Sequence, residues 1–127
     1  MAPTSDRLAL CLGAVLGFFA VISGAAAAHG PLHDYLDSQH GLDLWKTALN
    51  YQWYHALALL VVGQSAQGRR GTVICWLLGV ACFSGSLYLL ALDPSQHWAG
   101  PVTPLGGLLL ILGWGWLFVS VLRKPAA

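Results

Sequence analysis

The chain has 127 residues, 57% of them hydrophobic and only 9% charged, with a formal net charge of +1. A soluble domain carries about 25% charged residues, so this composition excludes an ordinary water-facing surface and makes lipid the main solvent. With no basic run there is no nucleic-acid face, and the length leaves room for one membrane bundle and no separate soluble domain.

Four long stretches carry no charged side chain, and each contains enough apolar residues to cross roughly 30 Å of hydrocarbon as a helix. The first predicts a span over residues 8–28. Arg7, the apolar run, and Ala26 and Ala28 before His29 resemble a secretory leader with a small-residue cleavage site. The run is long for a leader, however, and Gly13 and Gly17 form a GxxxG pair suited to close helix contact, so a retained span is expected.

An outer loop over residues 29–43 follows. Pro31 is placed to open a short interfacial helix, with Leu32, Tyr35 and Leu36 on its apolar face and Asp34, Asp37 and Ser38 exposed. The second span is expected over 44–62 and the third over 72–92. A tight inner turn between them, residues 64–71, contains Gly68 and Gly71. Pro101 and Pro104 bracket Thr103 at the head of the fourth span, 104–122.

The expected fold is an all-α membrane protein, a four-span antiparallel transmembrane helix bundle forming a single membrane domain over residues 1–127. Arg7, Arg69, Arg70, Arg123 and Lys124 then share one side and only Lys46 the other. The positive-inside rule puts both termini in the cytoplasm. The glycines read as packing positions, among them Gly13, Gly17 and Gly24 on the first span and the Ala81/Gly85 pair on the third. Cys11, Cys75 and Cys82 are odd in number and lack a CxxC, so they read as small apolar packing residues.

Polar residues gather at one depth. At ~1.5 Å per residue, Asn50, Tyr51 and Gln52 lie roughly 9–12 Å below the outer surface and His55 about 16 Å below it. Ser84, Ser86 and Tyr88 on the third span reach that level from the opposite direction, and Ser23 and Thr103 join them. Intramembrane polar groups are costly unless paired or wetted. The cluster therefore predicts either a hydrogen-bonded knot or a vestibule open to the outside. His55 is expected to be neutral and bonded to another helix. No second histidine lies within a span at its level, which argues against an internal haem, and no cofactor is expected.

Of the outer histidines, His33 and His40 would share a helix face with Asp37, a spacing suited to zinc or copper; the alternative is a solvated polar face. Trp45 and Trp98 suit the outer interface, whereas Trp114 and Trp116 are expected to face lipid or a partner.

The runs Ala28-His29-Gly30, Tyr51-Gln52-Trp53-Tyr54-His55-Ala56-Leu57-Ala58-Leu59-Leu60, Phe83-Ser84-Gly85-Ser86-Leu87-Tyr88 and Thr103-Pro104-Leu105-Gly106-Gly107 occur in order. Together they resemble the small membrane-protein family called domain of unknown function 423, or the transmembrane protein 256 type. The resemblance covers nearly the whole chain. It implies a compact multi-span bundle in a bacterial inner membrane and no established activity, and it draws attention to His29, Tyr51, Gln52, His55, Ser84, Ser86, Tyr88 and Thr103.

Three functions compete. The first is an accessory or assembly subunit of a larger membrane complex, with other membrane-protein subunits or a second copy as partners. The second is an autonomous binder or transporter of a small ligand, lipid, quinone or proton through the vestibule around His55. The third, a membrane enzyme, finds no nucleophile–base pair, carboxylate dyad or phosphate loop. The first reading, without catalysis, fits the small size best.

Overall fold

The computed structural model describes residues 5–65 and 69–123. Gly68 of the expected inner turn and Lys124 of the basic side lie outside the described residues. Among the described residues there are five helices: α1 (Arg7–Ala28), α2 (Pro31–Ser38), α3 (Leu42–Gly63), α4 (Arg70–Leu92) and α5 (Ala99–Leu122).

The four long helices pack in the order α1, α3, α4, α5. Helix α3 lies against α1 and α4, and α4 also carries α5, while α1 and α4 have little direct contact. Residues Ala9, Leu59, Val62, Val73, Trp76, Val80 and Leu110 form one core cluster across all four. Three helices, α1, α4 and α5, are long and apolar enough to cross a membrane. Helix α3 has 22 residues but is not among them. Asp43, Lys46, Asn50, Gln52 and His55 dilute its apolar character.

Asp6 caps α1 by accepting the Ala9 amide at 3.1 Å, which satisfies one of the unpaired donors at a helix start. Its own amide donates to the Gly63 carbonyl at 2.8 Å, tying the head of α1 to the tail of α3. Gly13 lets α1 approach α3 so closely that a Cβ there would lie 2.9 Å from the Ala56 carbonyl oxygen, and Gly17 and Gly24 face Trp53 and Leu49 on the same helix. The α1 glycine stripe is therefore a packing seam. Ala81 and Gly85 instead face outward, with nothing near Gly85. Gly106 brings α5 onto the backbone of α4 at Cys82 and Phe83, where a Cβ would collide.

Between α1 and α3 the chain turns at Gly30, whose φ of +83° is easy only for glycine, and Pro31 opens α2. Leu36 of α2 is fully buried against Trp45 and Ala91, and the Tyr35 hydroxyl donates to the Leu92 carbonyl at 2.7 Å. Helix α2 stops at Ser38 in a Schellman arrangement. Gly41 N–H donates to Leu36 O and His40 N–H to Asp37 O, with His40 left-handed at φ 55°.

Helix α5 starts at Ala99, before the expected residue 104, because the Asp93–Trp98 turn already folds the chain back. Asp93 accepts from the Ser95 hydroxyl, the Ser95 amide and the Gln96 side chain, and Gln96 in turn accepts from the Trp98 indole. These bonds, the Ser95 hydroxyl first, hold the Asp93 carboxyl below its ordinary range. Pro104 thus falls inside α5, where it removes the donor that Gly100 O would have used.

Candidate functional site

The polar residues of the upper bundle form a ladder of hydrogen bonds between helices. Gln52 is its centre. The side-chain amide donates to the Leu16 carbonyl of α1 at 2.8 Å, and its oxygen accepts the Tyr88 hydroxyl of α4 at 2.8 Å. One side chain therefore joins three helices. The Ser23 hydroxyl approaches the same phenol. Ser84 donates to the Ala48 carbonyl at 2.7 Å, across the α3–α4 seam. Ser86 and Thr103 share a 2.6 Å hydroxyl–hydroxyl bond between α4 and α5. Trp45 reaches from α3 to the Ser23 carbonyl at 3.3 Å, and its ring packs edge-on against Tyr88 with centroids 4.6 Å apart.

His55 lies one turn deeper and is buried. Its Nδ1 sits 2.7 Å from the Tyr51 carbonyl, and its Nε2 lies 3.1 Å from Nε1 of Trp114. A carbonyl only accepts and an indole N–H only donates. The partners therefore fit one neutral tautomer, with the proton on Nδ1 and the lone pair of Nε2 directed at Trp114. Around this bond stand Trp76, 5.7 Å from the imidazole and 4.6 Å from the Trp114 ring, and Tyr51, stacked at 6.3 Å. With both nitrogens engaged, ligation of a metal or haem through Nε2 requires breaking the Trp114 bond.

The structure thus brings together Ser23, Gln52, Ser84, Ser86, Tyr88 and Thr103, with His55 bonded to a different helix. Asn50 stands apart, exposed on the outer face of α3. Tyr51 contributes its carbonyl and its ring, which packs on Phe83 at 4.5 Å and is 39% exposed. Trp114 is only partly the lipid-facing residue expected, since half its surface is exposed while its indole N–H points inward. Depth arithmetic already contained this partner: ten residues below Pro104, Trp114 lies about 15 Å deep, level with His55.

His33, Asp37 and His40 are not gathered into a metal-holding group; no such group occurs among the described residues. The reason is local. Helix α2 ends before His40, which belongs to the left-handed turn, and His33 is bonded through Nδ1 to the Ala27 carbonyl at 3.0 Å. His29 is exposed at the end of α1, and Cys11, Cys75 and Cys82 are free thiols.

The family described as protein of unknown function (DUF423) matches residues 23–107. A UPF0382 membrane protein of Staphylococcus haemolyticus is 39% identical over 92% of this chain and 97% of its own length. The chain belongs to the DUF423 family. Other UPF0382 relatives include a membrane protein of Haemophilus influenzae, 42% identical over 83% of this chain and 86% of its own. The UPF0382 inner membrane protein YgdD of Escherichia coli is 36% identical over 94% of this chain and 92% of its own. No solved structure matches the chain. The DUF423 match covers every ladder side chain from Ser23 to Thr103 but leaves out the Leu16 carbonyl and Trp114.

Proposed function

We propose that this DUF423 chain is a four-span protein of a bacterial inner membrane, both termini cytoplasmic, without chemistry of its own. It serves as an accessory or assembly subunit of a larger membrane complex. One observation carries the reading. The polar side chains of the ladder are paired with the chain's own groups, and of the described buried polar side-chain atoms only Thr72 Oγ1 and Trp76 Nε1 lack a partner. Helix α5, in contrast, leaves large apolar side chains uncovered, Ile111 (68% exposed) and Phe118 (65%) on one side and Trp116 (57%) on the other. A ladder occupied with its own bonds suits a scaffold, and exposed aromatic side chains suit a protein contact. The fourth span is α3, whose Gln52 and His55 are covered by neighbouring helices and so cost little in lipid. Arg7, Arg69, Arg70 and Arg123 lie at one end of the bundle and Lys46 at the other, which supports the orientation. The test is native mass after gentle extraction from the membrane, with mass spectrometry of what travels with the protein. Stoichiometric co-migration with a large assembly is expected; migration as one or a few copies alone overturns the reading.

A second reading keeps the His55 region as a seat for a small ligand, quinone or proton. It is favoured by the half-exposed Tyr51 and Trp114 rings that flank the imidazole, which leave it one side chain below the lipid-facing surface. If His55→Ala folds and leaves every binding and transport assay unchanged, this reading fails.

A further inference from the structure

At the end of the bundle opposite the ladder, α1 and α4 both rest on α3 without closing on each other. A groove of about 350 Å³ opens between them, lined by Asp6, Leu8, Arg70, Val73, Ile74 and Leu77. Val73 also belongs to the core cluster with Ala9, Leu59 and Val62, so the groove lies over the α3 contact. Arg70, Val73, Ile74 and Leu77 form one stripe of α4, at spacings of three and four residues. That stripe runs roughly 10 Å down the helix. Leu8 and Ile74 are more than half exposed, so the groove is open sideways to hydrocarbon.

Its mouth carries both signs of charge. Asp6 keeps one carboxylate oxygen on the Ala9 amide; the other has no hydrogen bond among the described residues. Arg70 opens α4 at its N-terminus, next to Arg69, where helix dipole and guanidinium both favour an anion. Asp6 and Arg70 line one mouth without forming an ion pair with each other.

We infer that this groove is a seat for a phospholipid with an ethanolamine headgroup, its phosphate on Arg70, its ammonium on Asp6, and the start of one acyl chain along Leu8, Val73, Ile74 and Leu77. The charge pattern selects this headgroup. A phosphatidylglycerol headgroup satisfies Arg70 but offers the Asp6 carboxylate only neutral hydroxyls and no cation, and a choline headgroup has no N–H to donate to it. The inference is independent of both functional readings above.

The test is lipid titration of the detergent-solubilised protein by native mass spectrometry, using phosphatidylethanolamine, phosphatidylglycerol and phosphatidylcholine with the same acyl chains. The ethanolamine lipid is expected to bind about tenfold better than the other two, the equivalent of about 1.4 kcal/mol. Asp6→Asn keeps a competent helix cap and is expected to erase the advantage over phosphatidylcholine. Arg70→Gln is expected to weaken all three lipids, and Leu77→Trp, which fills the groove, to do the same. Leu78→Trp, on the exposed face beside it, is expected to leave binding unchanged. Equal retention of the three lipids, a preference for phosphatidylglycerol, or an unchanged order in Asp6→Asn overturns the proposal. If Asp6→Asn fails to fold, the Leu77→Trp and Leu78→Trp pair decides.

Discussion

Helices α3 and α5 reverse the usual relation between polarity and burial. Helix α5 is apolar along its length, yet only Ala99, Gly106, Leu110 and Gly113 are buried. Helix α3 carries Asn50, Gln52 and His55, yet it has two long helical neighbours and buries Trp45, Ala48, Gln52, His55, Ala56, Leu59, Val62 and Gly63. In water the apolar helix would be the buried one. Here hydrocarbon is as good a neighbour for Leu or Ile as protein is, so apolar helices tolerate the edge. Polar side chains need partners that lipid cannot supply, and they collect on the helix with protein on both sides. The two helices are accordingly held differently: α5 chiefly by close backbone approach at glycines, α3 by such an approach at Gly13 of α1 and, in addition, by side chains bonded to neighbouring carbonyls.

The strongest way to break the α5 mode is Gly106→Val. Its Cβ meets the backbone of Cys82 and Phe83, which cannot rotate aside. A loss of about 3 kcal/mol is expected from this overpacking, read by reversible unfolding in mixed micelles. Gly115→Ala, with nothing near its Cβ position, is expected to stay within about 0.5 kcal/mol of the parent. Equal effects at the two sites would remove the close-approach explanation. For the α3 mode the matched pair is Gln52→Leu and Asn50→Leu. Gln52→Leu strips partners from Leu16 and Tyr88 and is expected to cost about 1–2 kcal/mol. Asn50→Leu, on the exposed face, is expected to be neutral or stabilising in a bilayer. A double-mutant cycle with Tyr88→Phe should give a Gln52–Tyr88 coupling of about 0.6 kcal/mol; zero coupling would make that bond incidental.

One bond crosses between the two modes, from Trp114 of α5 to His55 of α3. Trp114→Phe keeps an aromatic ring and removes the donor, at an expected cost of about 1 kcal/mol. The imidazole ¹⁵N spectrum gives the sharper readout, since Nε2 loses its hydrogen bond while Nδ1 keeps Tyr51. Trp116→Phe serves as the control and should leave that spectrum unchanged.

Much of this was legible before the structure, for a reason specific to membranes. Depth follows from counting residues along a span, and polar groups at one depth must find one another, so Gln52, Tyr88, Ser84, Ser86 and Thr103 could be grouped by arithmetic alone. Rotation about each helix axis could not. Asn50 and Gln52 differ by two residues, about 200° around the helix, and only packing determined that Gln52 turns inward. The same ignorance misjudged the Ala81/Gly85 pair, which matches the α1 glycines in pattern but faces outward. The His33, Asp37, His40 reading failed on a boundary: i, i+4, i+7 requires a helix through residue 40, and the Schellman turn ends it at Ser38. Helix α5 began early because the side-chain bonds of the Asp93 turn leave no trace in hydropathy.

That Schellman turn supplies a smaller prediction outside the membrane-spanning helices. His40 occupies the left-handed position that glycine usually fills, and a residue with a Cβ pays about 1 kcal/mol there. His40→Gly should recover part of that, against the greater freedom of glycine in the unfolded chain, and raise stability by about 0.5 kcal/mol. A loss of stability would mean that the imidazole makes a favourable contact outweighing the strain.

The smallest expected effect lies in the Asp93 turn, which joins the two helices at the edge of the α5 seam. Bonds from the Ser95 hydroxyl, the Gln96 side chain and the Ser95 amide favour the carboxylate, with His97 adding a weaker attraction, so the folded pKa lies below the unfolded value. A group depressed in this way contributes stability that is fully present above its unfolded pKa of about 3.9. The contribution fades as pH falls from there through the folded pKa. Unfolding between neutral pH and the acid limit, compared in the parent and Asp93→Asn, should therefore show the variant less stable at neutral pH and the two converging in acid. Because the carboxylate is solvent-exposed, the gap should be small and shrink with salt. Curves that stay parallel across the whole range would show that the turn is held by backbone geometry rather than by the carboxylate's charge.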